Sequence, residues 1–573
     1  MKKIILPLVV CAAGLFASCS QSLLDIPQKG VIPEEAFYIT DEDAESAATA
    51  MYHGFLTNMC TVKAIGANIY VGYLFAFNLP GDDVYAACKE YGNNDFQAAV
   101  DEFRFDPSSD IISTTYRNLY LVNYYCNLIT DHFQYGESAI KDRVISEARA
   151  MRAWIHMTLA MGWGNPPLVD HVLVGSDKPS NYEGGQKGLL MWCAQECEEA
   201  AKYLPVDKGA DDKESAVKIT KGFAQTVQGK ALIAAGEYEA AMKPLKEVID
   251  SKSYDLVPGD QMKYLFHIEG DGSVEKIFEG SVVENANLSN GTQIWRATWQ
   301  HANMWCWRGD RFQFVPYEVG MRANGWGGLG VRTDFAEEFI ANDGDSYRRK
   351  YSIISYEEVL TELSYPNDEG MTKEDKMKDP KRGLKDIRGL YGNGEYLQMK
   401  RIVSDTDVAG HTSWSAANFT LLRYAEVLLM YAECCAQTGK DLQGGLECIL
   451  KIQKRAGIPE ENYATACTLD VVKKEKKFEL FTESCRFTDC VRWGDIAGME
   501  KSGKSIPTLY DHMIDVDEST RTDYHSPYVI YRDYNGEAGK TVGFQRGKHE
   551  LFPFPTLEVT INPNIVQNPG WGE

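Results

Sequence analysis

The sequence predicts a mainly α fold: a scaffold of helical hairpins interrupted by one large irregular, partly β insertion. Three observations predict it. Apolar residues recur at helical spacing in paired stretches, Val217–Val248 and again Phe419–Ile452, the pattern of helices buried along one face. Between the pairs, from about 257 to 418, no such spacing is sustained. Composition is globular, with 44% hydrophobic and 25% charged residues among 573 and no long low-complexity tract, so a sizeable core is available.

The chain opens with residues that do not belong to that fold. Lys2 and Lys3 precede an apolar run, Ile4–Phe16, too short to span a bilayer, and Ala17-Ser18 lead into Cys19. This is the pattern of a bacterial lipoprotein signal peptide over 1–18, with Cys19 the lipidated first residue of the mature chain, although Phe16 stands where Leu is commonest. Residues 19–40 then read as the lipidated N-terminus and tether, and 41–573 as a single body. Within it the helical scaffold covers about 41–256 and 419–500, the loop-rich insertion about 257–418, and an extended C-terminal tail about 501–573. The expected attachment to a membrane is by acyl chains; outer-membrane, cell-surface placement is what the resemblance described below implies.

Asp41–Cys60 forms the first helix, with Ala44, Ala47, Ala48, Met51, Phe55 and Leu56 at helical spacing. A loop follows, rich in Gly, Asn and Asp but also in aromatics, through Asp82, Asp83 and Tyr85 to Tyr91, Asn93, Asn94 and Phe96. Ile111–Phe133 and Lys141–Met161 are the next helices, the latter stopped by Gly162-Trp163-Gly164-Asn165-Pro166-Pro167. Leu189–Leu204 is a fourth. Val217–Ala235 and the stretch restarting at Tyr238 make a pair about Gly236, with the small-residue packing of a tetratricopeptide-type hairpin. Phe419–Thr438, stopped by Gly439, and the stretch N-capped by Asp441 make a second pair. The two pairs show no fixed period, which argues for interrupted hairpins and against a continuous array.

Inside the insertion, Lys276–Val283 reads as a strand, Tyr347–Leu360 mixes β-branched with aromatic residues, and Pro366–Lys385 is polar enough for an exposed loop. Thr468–Phe481 forms a further helix whose Lys473, Lys474, Lys476 and Lys477 read as a solvated face. His549–Trp571 is too rich in Pro and Asn for regular structure and reads as an extended tail packed on the body. Twelve cysteines remain beside Cys11 and Cys19; most stand in apolar helical contexts, as buried free thiols do.

The stretch Trp295–Trp326 holds Trp295, Trp299, Trp305, Trp307 and Trp326, five of the chain's eleven tryptophans, interleaved with Arg296, His301, Arg308, Asp310, Arg311 and Asn324. Flat aromatic faces beside hydrogen-bonding groups suit a sugar, whose C–H faces stack while its hydroxyls need partners. Core burial is the competing reading. Because the helical scaffold has core residues of its own, ligand contact is favoured for one or two of the five rings.

Composition and motifs exclude other chemistries. With 82 acidic against 59 basic residues and a net charge of −23, the surface repels phosphate backbones, and no nucleic-acid partner is expected. Gly498–Ser505 has P-loop spacing, but a buried strand should precede it and a helix follow, and Pro507 forbids the second. Asp405-x-Asp407-x-x-Gly410 lacks the remaining ligands of a calcium loop. Neither H-E-x-x-H nor G-x-S-x-G occurs. No cofactor or metal is expected. A two-carboxylate glycosidase remains an alternative that spacing alone does not exclude.

Several phrases occur together in order: Glu147–Ala153, Leu422–Glu433, Phe478-Glu479-Leu480 with Arg486-Phe487-x-Asp489 and Arg492-Trp493-Gly494, and Leu551–Pro555 with Asn562-Pro563-Asn564 and Gln567–Gly570. On these phrases, behind a lipoprotein signal, the chain resembles the SusD/RagB family of outer-membrane nutrient-binding lipoproteins over essentially its whole mature length. It departs from the family's habits at Lys476-Lys477 and Ser484-Cys485. The resemblance implies four tetratricopeptide-like hairpins, with the remaining structure draped over one side as the ligand site. It also implies a TonB-dependent outer-membrane transporter as partner, on which the protein sits as a lid delivering oligosaccharide. Candidate stacking platforms are then Trp295, Trp299, Trp305, Trp307, Trp326, Tyr85, Tyr91 and Phe96. Candidate hydroxyl partners are Asp82, Asp83, Asn93, Asn94, Arg296 and Asn324. Capture of peptides or another nutrient is the alternative within the binding class.

Overall fold

The expected helical periodicity is realised where a cap starts it and a buried face holds it. A computed structural model describes residues 37–59, 73–87, 95–206, 216–282, 327–379, 381–382, 396–402, 404–407, 417–502, 506–508, 530–532 and 542–572. In the N-terminal part these form α1 (Asp41–Met59), α2 (Tyr73–Asn78), β1 (Val84–Ala86), α3 (Asp95–Asp101), α4 (Asp110–His132), α5 (Ala139–Trp163), α6 (Gly185–Ala200), α7 (Lys221–Ala234) and α8 (Tyr238–Ser251). Thr40 and Asp43 close α1 reciprocally: the Asp43 amide donates to Thr40 Oγ1 at 3.1 Å and the Thr40 amide to Asp43 Oδ2 at 2.8 Å. Ser138 and Thr220 cap α5 and α7 in the same way through their hydroxyls.

The middle of the chain forms β2 (Lys276–Gly280), β3 (Leu329–Val331), α9 (Thr333–Asp343), α10 (Tyr347–Ser352), β4 (Ile353–Ser355), α11 (Tyr356–Thr361), α12 (Lys373–Lys378), β5 (Tyr396–Gln398) and β6 (Phe419–Arg423). Next come α13 (Tyr424–Thr438), α14 (Leu442–Ala456), α15 (Leu469–Glu479), α16 (Arg486–Trp493), β7 (Ile506–Thr508), β8 (Ile530–Arg532) and α17 (Thr556–Ile561). The strands pair as β1–β3, β2–β6, β4–β5 and β7–β8, each pair antiparallel.

The helices form one row. α1 packs on α4, α4 on α5, α5 on α6, α6 on α7, α7 on α8, α8 on α13 and α13 on α14. The interruption seen in sequence is therefore closed in space, because the chain leaves the row after α8 and re-enters beside it at α13. Close approach helps at two of these joints. A Cβ on Gly229 of α7 would overlap Leu245 of α8, and one on Gly445 of α14 would overlap Cys435 of α13, so glycine lets these backbones meet. Nine cysteines, including Cys193, Cys197, Cys434 and Cys435, are buried free thiols, as their apolar contexts predict.

Four expectations are corrected. Phe419–Arg423 is strand β6, not the start of a helix; it pairs with β2, and the helix begins at Tyr424. The insertion does contain sustained helix: the 11-residue α9, with Phe335 and Phe339 stacked over α15 and the loop after it. Tyr347–Leu360 is helix, strand and helix in succession, while the polar stretch after Pro366 holds the short exposed α12 and ends at fully buried Arg382. The lysines of α15 are only in part a solvated face: Lys474 is exposed, but Lys476 is buried, 2.6 Å from Asp489 and 3.4 Å from Glu433, and Lys477 pairs with Glu338. The tail does pack on the body, with Phe552 and Phe554 fully buried. Asn568 donates from Nδ2 to the carbonyls of Trp163 at 2.9 Å and Phe552 at 2.8 Å. It also contains one short helix, α17.

A buried ionic seam ties the insertion to the scaffold. Arg423, at the β6–α13 junction, donates to Glu275 at 2.7 Å, to the Glu479 carboxylate at 2.7 Å and to Glu483 at 2.7 Å. Arg455 of α14 reaches Glu275 at 2.9 Å and also Glu479. Arg348 of α10 is clamped by Asp343 at 2.8 Å and 3.0 Å and by Glu475. Lys400 donates to the carbonyls of Glu479 at 2.8 Å and Phe481 at 3.0 Å. Each charge is buried, so each requires these partners. The cations overcome burial and hold the Glu479 carboxyl far below the ordinary range, and Glu483 down to about 2.

Candidate functional site

Two small sheets root the segments in which the sequence places its candidate residues. In the first, β1 and β3 pair with Val84 opposite Val331, Tyr85 opposite Gly330 and Ala86 opposite Leu329. The ladder extends through the Ala87 amide, which donates to the Gly328 carbonyl at 3.2 Å. Ala87 leads into the loop bearing Tyr91, Asn93 and Asn94, and Gly327 follows Trp326. The described residues next to the two candidate stretches, more than 200 residues apart in sequence, therefore meet in one sheet. In the second sheet, β2 pairs with β6, and beyond it the Val282 amide donates to Asn418 Oδ1 at 2.8 Å. Val282 is where the chain sets out toward Trp295.

The rings Trp295, Trp299, Trp305, Trp307, Trp326 and Tyr91, together with Asn93, Asn94, Arg296, Asn324 and Cys19, lie outside the described residues. Tyr85 is inside the fold, 1% exposed, its ring laid over its cross-strand partner Gly330, where a Cβ would overlap it. Phe96 of α3 is half-buried against the core. Asp82 accepts two hydrogen bonds from Arg486 of α16, Nε at 2.5 Å and Nη2 at 2.9 Å. Asp83 is 2% exposed; burial, and then the charge of Asp82, push its carboxyl up to about 7. Asp82, Asp83 and Tyr85 thus brace the loop from within.

Two motifs set aside from sequence have structural explanations. α16 precedes Gly498, so no strand leads into the P-loop-like spacing. Asp407 is a staple: it accepts from the Ile268 amide at 2.8 Å and the Ser404 amide at 2.8 Å, and it lies 2.6 Å from His267 Nδ1. Burial opposes its ionisation, but the His267 contact and these amides hold its carboxyl below the ordinary range.

That staple closes one side of a concavity that sequence reading missed. The cavity measures about 610 Å³ and is lined by three separated stretches, 263–269, 349–363 and 399–406. Its residues carry no local motif. Only the folding of the insertion brings Tyr264, Tyr351, Met399 and Ile402 together, so no sequence signal marks them.

A helical row carrying an insertion that is tied down by the β1–β3 and β2–β6 pairs defines the class: a helical scaffold with further structure packed on it. The SusD family model matches residues 293–571. A SusD-like protein of Bacteroides ovatus is 22% identical over 508 residues, which cover 85% of this chain and 81% of that one. A SusD-like protein of Formosa agariphila is 20% identical across 96% of this chain and 95% of its own. Among solved structures, a laminarin-binding SusD-like protein superposes with a TM-score of 0.68 at 20% identity, covering 92% of this chain and 99% of that one. Surface glycan-binding protein A from Bacteroides thetaiotaomicron gives a TM-score of 0.68 at 19% identity, covering 93% and 99%. The matched family region is just under half of the chain, and the fold is that of the SusD-like structures.

Proposed function

We propose that the protein is a non-catalytic, cell-surface glycan-binding lipoprotein. In this reading the acyl chains on Cys19 hold it to the outer membrane, aromatic faces of the Trp295–Trp326 stretch and its neighbouring loop stack on sugar rings, and polar side chains read hydroxyls. The observation that supports it is the β1–β3 pair, whose strands lie next in sequence to the two candidate stretches. The matched relatives support the same ligand class by their names, a laminarin-binding protein and surface glycan-binding proteins. Delivery of the glycan to a TonB-dependent transporter is what the resemblance to the SusD family implies and is part of the proposal.

The test uses the chain from Ser20 onward, titrated with laminarin and with neutral β- and α-linked oligosaccharides while tryptophan fluorescence and released reducing ends are recorded. Saturable quenching with no new reducing ends is the expected result. Turnover abolished by a carboxylate substitution would instead make the protein a hydrolase. Quenching by peptides and by none of the saccharides would replace the glycan with another nutrient.

A further inference from the structure

We infer that the cavity lined, among the described residues, by 263–269, 349–363 and 399–406 is a second saccharide site, specific for neutral sugars. Its size, about 610 Å³, falls within the roughly 300–1,000 Å³ of small-molecule clefts. The floor is rigid. β4 and β5 pair with Ile354 opposite Leu397, and the Met399 amide extends the ladder to the Ser352 carbonyl at 2.8 Å. Asp407 ties the wall at His267 and Ile268 to the wall at Ser404, so the shape exists before a ligand arrives. Preorganisation of this kind lowers the ordering cost of binding.

The chemistry of the lining selects the ligand. Tyr264 and Tyr351 line the cavity half-buried, together with the apolar Met399 and Ile402, an aromatic and apolar composition suited to the C–H face of a pyranose. Ser404 and Glu362 supply polar groups at the edge. The cations present are already matched: Arg349 donates to Glu358 at 2.5 Å and to Asp345 at 2.8 Å, and Lys350 lies 3.5 Å from Glu362. Lys263 lies over the Tyr264 ring, its Nζ 4.7 Å from the centroid. A sulfated or carboxylated sugar would have to break these pairs, whereas a neutral one leaves them intact.

This inference rests on the proposed glycan-binding function only for its ligand class, and the experiment separates the two. Isothermal titration of the chain from Ser20 onward with laminaritriose is compared with titration of Tyr351→Ala and of Glu362→Gln, the second at an exposed position, with the melting point of each variant recorded as a check on folding. Tryptophan quenching is read on the same samples. The expected result is two saccharide equivalents per chain, one of which weakens at least tenfold in Tyr351→Ala and measurably in Glu362→Gln while quenching keeps its midpoint. Trigalacturonate should give no heat that depends on Tyr351. A single equivalent insensitive to both substitutions would overturn the second site and leave the Trp-rich site standing. Tyr351-dependent heat without quenching would uphold the cavity and overturn the Trp-rich reading. An affinity for trigalacturonate equal to that for laminaritriose would overturn the neutral specificity.

Discussion

Replacing Glu479 by alanine tests whether the buried seam holds the insertion on the scaffold. The carboxylate is fully buried and meets Arg423 at 2.7 Å, Arg348 at 3.3 Å and also Arg455. Truncation leaves three guanidiniums short of a partner in a site water does not reach, and breaking a buried pair in this way costs about 3–5 kcal/mol. Unfolding entropy of about 2.1 cal/mol/K per residue over roughly 550 mature residues is about 1.2 kcal/mol/K, so the melting point should fall by about 3–4 °C if the body melts as one unit. Differential scanning calorimetry of Glu479→Ala beside Lys378→Ala reads the difference, because the exposed Lys378–Glu374 pair is a surface control expected to contribute about 0–1 kcal/mol. Equal small shifts in the two variants would refute the seam as a structural tie.

Other outcomes follow from the same coordinates. Glu483, held down to about 2, is ionised in the fold where the unfolded carboxyl at 4.5 begins to protonate. Its stabilisation is therefore complete above about pH 4.5 and is lost as pH falls toward 2, and the stability gap between wild type and Glu483→Gln should narrow over that window. His156 is fully buried, its Nε2 accepting from the Val169 amide at 3.2 Å and its Nδ1 3.0 Å from the Arg152 carbonyl, and burial pulls it down to about 4. The unfolded chain then binds the extra proton between pH 6.5 and 4, so stability drops on acidification by about 3 kcal/mol, a slope that His156→Gln should lack in urea titrations at stepped pH. Gly330→Ala forces a methyl into the Tyr85 ring at a cost of about 1–3 kcal/mol and should weaken glycan-induced tryptophan quenching, since both candidate stretches adjoin that sheet in sequence. The nine buried thiols, several pushed up by burial as Cys126 is to about 12, should resist a thiol reagent in the native protein and react on denaturation, as mapped by peptide mass spectrometry.

The long helices were legible because each buries one face against its neighbour, so the 3.6-residue period survives in the sequence. Ala44, Met51 and Phe55 of α1 show it, as do Leu245 and Val248 of α8. The same rule misread Phe419–Arg423. That strand runs straight into α13 and is buried on both faces, so its apolar run looks like one more helical turn. It also misread Lys476, whose burial depends on Asp489 and Glu433, residues on α16 and α13 that no local pattern connects to it. Among the candidate site residues, Asp82, Asp83 and Tyr85 were found by their aromatic and acidic loop, yet their side chains turn inward. Burial of these side chains depends on Arg486 and Gly330, residues far away in the chain that no local pattern connects to the loop.

What the sequence determined by itself is the helical scaffold, the hairpin turns at Gly236 and Gly439, the inert thiols and the family resemblance, all properties carried by local periodicity or by phrases of a few residues. What only the tertiary structure decided is how separated pieces meet. α8 joins α13 across the insertion, β1 anchors to β3, four basic residues converge on Glu275, Glu479 and Glu483, and three unrelated stretches enclose the Tyr264–Tyr351 cavity. The physical reason is that pairing of strands, burial of charge and closure of a cavity depend on distances between residues far apart in the chain, and such distances are set by the packing of the whole body.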